Sequence, residues 1–140
     1  MIPQEMQDLL QHKNAILAVN RPSGGPQVTP IWFVWDGEAF YFSTAKDRAK
    51  YAHIQRDPSI SLIIDGGPRY IAAYGKAQII DPHEPGLAGL IEQMVAKYVP
   101  PEQKEQAQQL RQRIQEPNRV IVKLRPEKVV ARDERIVQSR

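Results

Sequence analysis

The most constraining feature of this sequence is a run of eighteen residues, QVTPIWFVWDGEAFYFST, at positions 27–44. Aromatic and β-branched residues dominate both halves, so each reads as a strand. Asp36-Gly37 between them is a strong hairpin signal. Both halves are apolar on both faces. In a chain of 140 residues, a sheet with one side on its own core should be polar on the other. Two-sided apolarity therefore predicts a closed antiparallel barrel with a second covering surface. Few helices are on offer for that cover, so a second copy of the chain is expected to supply it.

The rest of the sequence supports a mostly β protein with helices, an α+β arrangement. Residues 3–13 predict a short helix, with Met6, Leu9 and Leu10 at helical spacing. Residues 15–20 form a short apolar run, and RPSGGP at 21–26 is a loop. SISLIID (59–65) and RYIAAYGKAQII (69–80) read as strands around a Gly66-Gly67-Pro68 turn, and Gly75 predicts a bulge or a close backbone approach. From 83 to 98 the period changes. Leu87, Leu90, Ile91, Met94 and Tyr98 mark one buried helical stripe, which Pro100-Pro101 ends. Residues 102–115 are very polar, with Ala107, Leu110 and Ile114 as an apolar seam, and read as a solvated helix. RVIVKL (119–124) predicts a last strand, followed by a basic tail. The expectation is one domain over 1–140, about six strands, and a helical insert at about 83–115.

Composition closes off several classes of function. There is no cysteine, which excludes a disulfide framework, a thiolate metal site and a cysteine nucleophile. His12, His53 and His83 lie too far apart for metal-ligand spacing, so no metal is expected. No run approaches eighteen apolar residues, and the N-terminal stretch lacks the pattern of a signal peptide. No membrane association is expected, and the cytoplasm is the default location. Net charge is +3: residues 1–101 carry 9 basic and 10 acidic side chains, and residues 102–140 carry 10 basic and 6 acidic. That surplus is weak for a nucleic-acid binder. Stacking on Trp32 and Trp35 beside the basic tail is not expected either, because the strand that holds them is too apolar to stay exposed. No nucleophile elbow, phosphate-binding P-loop or carboxylate pair is present, so no catalytic residue is assigned. An enzyme built on this chain has to import its chemistry with a cofactor.

STAKDRAKYAHIQRDP, residues 43–58, is the stretch that points to one. Thr44 and Asp47 stand close to capping-box spacing, so a helix starts at Thr44 or, alternatively, later, near Asp47. Its first turns then hold Lys46, Arg48 and Lys50, cations where the backbone dipole is already positive. A phosphate resolves the conflict by accepting from free backbone N–H groups, from the Ser43 or Thr44 hydroxyl and from the cationic side chains. Pro30, mid-strand, removes a ladder donor, so its strand is an edge or is bulged. Bland readings compete with these: a surface helix whose charges cluster, and tryptophans that belong to the core.

The hydrophobic strand with Thr-Pro, the Phe-Ser-Thr, the Arg-x-Lys and the Arg-Asp-Pro that follow resemble the pyridoxamine 5′-phosphate oxidase-like superfamily of flavin and deazaflavin oxidoreductases. The likeness is best over residues 26–81, looser over the last strand, and nearest to the small members that use coenzyme F-420 in place of FMN. It implies a split β-barrel homodimer with the cofactor ring at the subunit interface. Arg48 and Lys50 would then hold the cofactor phosphate, Ser43 and Thr44 would lie on its phosphate and ribityl side, and Thr29, Pro30, Ile31 and Trp32 would line the ring. Arg69 and Tyr74 would face the partner's ring. The implied activity is hydride transfer between FMN or F-420 and a small conjugated substrate, with Arg132, Arg135 and Arg140 near the acidic tail of F-420. A flavin or haem carrier without enzymatic activity is the alternative. The Arg- and His-bearing C-terminal segment of true pyridoxamine-phosphate oxidases has no counterpart, so vitamin B6 oxidation is not expected.

Overall fold

A computed structural model describes residues 1–135. A 3-10 helix (Gln4–Gln11) leads into β1 (Ala15–Val19), β2 (Gln27–Ile31), β3 (Val34–Trp35) and β4 (Phe40–Ala45). Then come α1 (Ala49–Arg56), β5 (Ser59–Gly66), β6 (Arg69–Ile80), α2 (Ala88–Tyr98), α3 (Lys104–Ile114) and β7 (Arg119–Asp133). The seven strands form one antiparallel sheet in the order β2-β1-β5-β6-β7-β4-β3.

That order corrects the expected single strand over 27–35. The run breaks at Trp32-Phe33. Its first half pairs with β1 and its second half with β4, so the two halves are the opposite edges of the sheet. Two intervening residues span at most about 11 Å between the flanking Cα atoms, so the sheet must curl until its edges nearly meet. This makes the half-barrel. The hairpin at Asp36-Gly37 forms, but only Val34 and Trp35 take part, opposite Tyr41 and Phe40. Gly37 has φ +100°, and the Asp36 carboxylate accepts from the Glu38 and Ala39 amides at 2.8 Å and from the Tyr41 hydroxyl at 2.9 Å. Pro30 lies on an edge strand, as its missing N–H requires.

The concave face of the sheet holds the main core, which includes Leu9, Leu17, Phe33, Phe40, Phe42, Ile54, Ile64, Ile71 and Leu124. Met6, Leu9 and Leu10 of the first helix close one end of it. The second face of β4 is apolar as expected, but its cover is not a second subunit. Tyr41 of β4, Val34 of β3, Ile80 of β6 and Ile121 of β7 pack against Ile91 and Met94 of α2 and Ile114 of α3. The helix pair between β6 and β7 therefore covers half of the convex face. The other half stays open. Across β2, β1, β5 and β6 the register aligns Val28, Ala18, Ser61 and Tyr74 in one row, with Pro30, Ile16, Ile63 and Ala72 beside it. Val28 (61%), Tyr74 (45%) and Ile16 (39%) are among the most exposed large apolar side chains.

Two boundaries move outward or inward for physical reasons. The last strand runs to Asp133, nine residues past its expected end, because the long β6 pairs with it from Ile121 to Asp133. What read as the start of a basic tail is therefore ladder, with Arg132 opposite Tyr70. Arg140 lies outside the described residues. Helix α2 begins at Ala88 rather than 83, after turns in which Asp81 accepts from the His83 amide at 2.8 Å and Gly86 sits at φ +95°.

Gly75 marks both a bulge and a close approach. The β6–β7 register shifts between Tyr74 and Gly75, and a Cβ at Gly75 would lie 2.9 Å from the Arg125 carbonyl oxygen and 2.9 Å from Leu124 Cδ1. Gly75→Ala is therefore expected to destabilise the fold by about 1–3 kcal/mol in chemical denaturation. An unchanged midpoint would mean that β7 does not cross β6 this closely.

Candidate functional site

The break at Trp32-Phe33 is held by the end of α2. Phe33 has lost its ladder partners, and its backbone is satisfied by side chains. Its N–H donates to the Tyr98 hydroxyl at 2.7 Å, and its carbonyl accepts from Lys97 Nζ at 2.8 Å. The Tyr98 hydroxyl also lies 2.9 Å from the Phe33 and Lys13 carbonyl oxygens, where its single proton is donated. Lys97 sits 3.5 Å from the centre of the Phe33 ring and donates to the Leu10 carbonyl at 3.1 Å. Burial, and then the neighbouring Lys13, lower its pKa to about 8. Burial raises that of Tyr98 to about 12. Beyond the break, Trp32 points outward and is 54% exposed, against the expectation that this strand hides its aromatics. Its ring stacks on Tyr98 at 4.3 Å, with 4° between planes. Trp35 packs inward on Phe40.

These elements frame a cleft of about 590 Å³, within the range of small-molecule sites. Thr29, Pro30, Ile31 and Trp32 line it from β2 and the break. Ser43 and Thr44 line it from the end of β4, and Arg48 and Lys50 from the start of α1. The structure thus brings all eight residues singled out from the sequence to one cavity. The later of the two predicted helix starts is nearer the truth. Thr44 is buried in β4, Arg48 is the residue that precedes α1, and no side chain caps the first turn. The amides of Ala49 and Lys50, both on the cleft wall, are left without helical partners. Lys46 and Asp47 are exposed and do not line it.

The sequence missed the opposite wall, which α2, α3 and the start of β7 supply through Met94, Tyr98, Leu110, Arg113, Ile114 and Arg119. The apolar seams of α2 and of the very polar α3 gave no sign that they faced a cavity. Arg119 stands at a strand start and belonged to no motif.

Charge at this end of the cleft is one-sided. Arg48, Lys50, Arg113 and Arg119 converge, and none of them forms an ion pair among the described residues. Burial, then Arg48 and Arg119, push the Lys50 pKa down. Burial, then Arg113, lower that of Arg119, and Arg48 adds to this, while Glu116 and Asp47 pull the other way. Among the described residues, the two buried polar side-chain atoms without a partner, Gln27 Oε1 and Arg119 Nε, belong to residues of this same cleft. An orphan acceptor and an orphan cationic donor on residues that line one cavity fit a ligand with hydroxyls and an anionic group. No cluster of three metal-ligating side chains occurs among the described residues.

Three other residues stand elsewhere. Arg69 makes a bidentate pair with Asp8 at 2.6 and 2.9 Å, which ties β6 to the first helix. Tyr74 lies on the bare convex face. Arg135 pairs with Asp133 at 2.5 Å.

The family model for pyridoxamine 5′-phosphate oxidase matches residues 2–133. The chain belongs to that family. Its seven-stranded antiparallel half-barrel is the family's split-barrel fold. Among solved structures, an F-420 reductase is 28% identical with a TM-score of 0.67, the match covering 92% of this chain and 98% of that one. A conserved hypothetical protein from Mycobacterium tuberculosis is 24% identical with a TM-score of 0.77, covering 99% and 88%. The haem storage protein HutZ from Vibrio cholerae is 16% identical with a TM-score of 0.73, covering 91% and 92%. The last two likenesses are of fold alone. No match was found among curated proteins. No helix among the described residues is long and apolar enough to cross a membrane.

Replacing Tyr98 by Phe removes the acceptor for the buried Phe33 amide at the strand break. The expected loss is about 1–3 kcal/mol in denaturant unfolding. A loss near zero would show that water or another group replaces the hydroxyl.

Proposed function

We propose that the protein is a redox enzyme that transfers a hydride between a bound FMN or coenzyme F-420 and a small conjugated substrate. The reading rests on one observation: an edge strand with an exposed tryptophan runs directly into a pocket of unpaired cations within a single cleft. The ring supplies hydride chemistry that none of the cleft's own side chains offers. The chain's share is binding and orientation. Arg48, Lys50 and the free amides at the start of α1 receive the phosphate. Ser43 and Thr44 meet the adjoining chain, and the unpartnered Gln27 oxygen accepts from one of its hydroxyls. Thr29, Pro30, Ile31 and Trp32 lie along the ring. Identity to an F-420 reductase over nearly the whole chain supports the deazaflavin as one of the two cofactors.

A carrier without enzymatic activity is the second reading. It is favoured by the lack of an acid–base group at the ring: none of the three histidines lines the cleft, and the Tyr98 hydroxyl is already committed to backbone. Turnover of enones, quinones or biliverdin with reduced cofactor separates the two readings.

A second copy of the chain is the proposed cover for the bare half of the convex face, where Val28, Ile16 and Tyr74 are exposed. Such a dimer would bring partner residues to the mouth of the cleft through β2.

Titration with FMN and with F-420, followed by fluorescence quenching, is expected to give micromolar or tighter binding of at least one. Arg48→Ala with Lys50→Ala should weaken it by at least about a hundredfold. Binding of neither, or binding that the double variant leaves unchanged, would remove this reading. Sedimentation is expected to show a dimer that Val28→Glu dissociates; a wild-type monomer would exclude the proposed cover.

A further inference from the structure

The cationic end of the cleft holds more donors than an Arg-x-Lys pair provides, and one is buried without a partner. Arg119 donates from Nη2 to Ser43 Oγ at 2.8 Å, while its Nε is enclosed and bonded to nothing. A guanidinium only donates, so Ser43 Oγ acts as an acceptor in this contact. The serine proton is then free to be donated in its turn. Arg113, from the last turn of α3, adds a further positive charge to the same wall.

A purely structural arginine would be expected to have its donors filled. An enclosed cationic N–H without an acceptor carries the full desolvation cost of that group. Its nearest acidic neighbours, Glu116 and Asp47, act on it from a distance and make no ion pair with it. An incoming anion relieves that cost, and a single negative charge leaves most of the four cations uncompensated.

We propose that Arg119 is itself an anion ligand of the cleft, with Ser43 turned by it into a second donor and Arg113 closing over the same group. On this basis the site selects ligands whose anionic portion carries two or more negative charges. The inference rests on the cofactor reading above and deepens it by adding two residues from the start of β7 and the end of α3.

Arg119→Met and Arg113→Gln test it, with melting of the ligand-free proteins read alongside binding. Arg119→Met is expected to weaken FMN or F-420 about tenfold or more. It should also lower the slope of log Kd against log salt and leave the ligand-free melting temperature unchanged or raised. Arg113→Gln is expected to weaken binding less and to lower the same slope. Inorganic pyrophosphate should raise the melting temperature of the wild type but not of Arg119→Met. Wild-type affinity in Arg119→Met overturns the proposal, and so does a lowered ligand-free melting temperature, which would make Arg119 a structural residue. If pyrophosphate stabilises only the wild type while neither cofactor binds, the anion seat stands and the cofactor reading alone falls.

Discussion

The fold depends on a break in one continuous strand-like run. Residues 27–35 would satisfy their backbone as a single strand, yet they supply both edges of the sheet, and the sheet must bend round to let them. At the break, Phe33 gives up its ladder bonds, an unfavourable state for buried peptide groups. Lys97 and Tyr98 take both of those groups over from the last turn of α2. The helix pair between β6 and β7 thus has two tasks. It covers the second apolar face of β4, and it clamps the point at which the barrel opens. The cleft lies at this opening, so the clamp that stabilises the fold also shapes the site.

The electrostatics run the other way. Four cations around one cavity, two of them part-buried and with lowered pKa values, repel each other, and none forms an ion pair with a carboxylate among the described residues. Elsewhere some arginines find carboxylates, as Arg69 with Asp8 and Arg111 with Glu92. What sets the cleft apart is that four cations without an ion pair among the described residues line one cavity. Proteins commonly hold such uncompensated charge where a ligand completes it. The orphan atoms of Gln27 and Arg119 show the same incompleteness in hydrogen bonding.

Much of this was legible in the sequence. Hairpin chemistry at Asp36-Gly37, the edge character imposed by Pro30, the Gly75 bulge and the apolar seams of α2 and α3 all follow from local residue properties. The charge pattern that conflicts with a helix start pointed to Ser43, Thr44, Arg48 and Lys50 as an anion site, whereas Thr29, Pro30, Ile31 and Trp32 as ring-lining residues rested on the family resemblance. The break at Trp32-Phe33 was not legible, because no glycine or proline marks it; it arises from the closure of the whole sheet. The same closure hid the role of the helix pair. Two-sided apolarity in β4 correctly demanded a cover, but which element provides it is a question of tertiary docking. Arg113 and Arg119 were missed because each looks like an ordinary surface cation until the chain brings Arg119 to Ser43 and Arg113 to the same cavity wall.

The central claim is that the cationic end of the cleft seats the charged end of a flat, ring-bearing ligand. Its most direct test compares the affinity of the ring that binds, flavin or deazaflavin, with and without its phosphate-bearing side chain. The account predicts that the phosphate form binds far more tightly in low salt and that added salt erodes most of the difference. Equal affinity of the two forms, at any salt concentration, would contradict it.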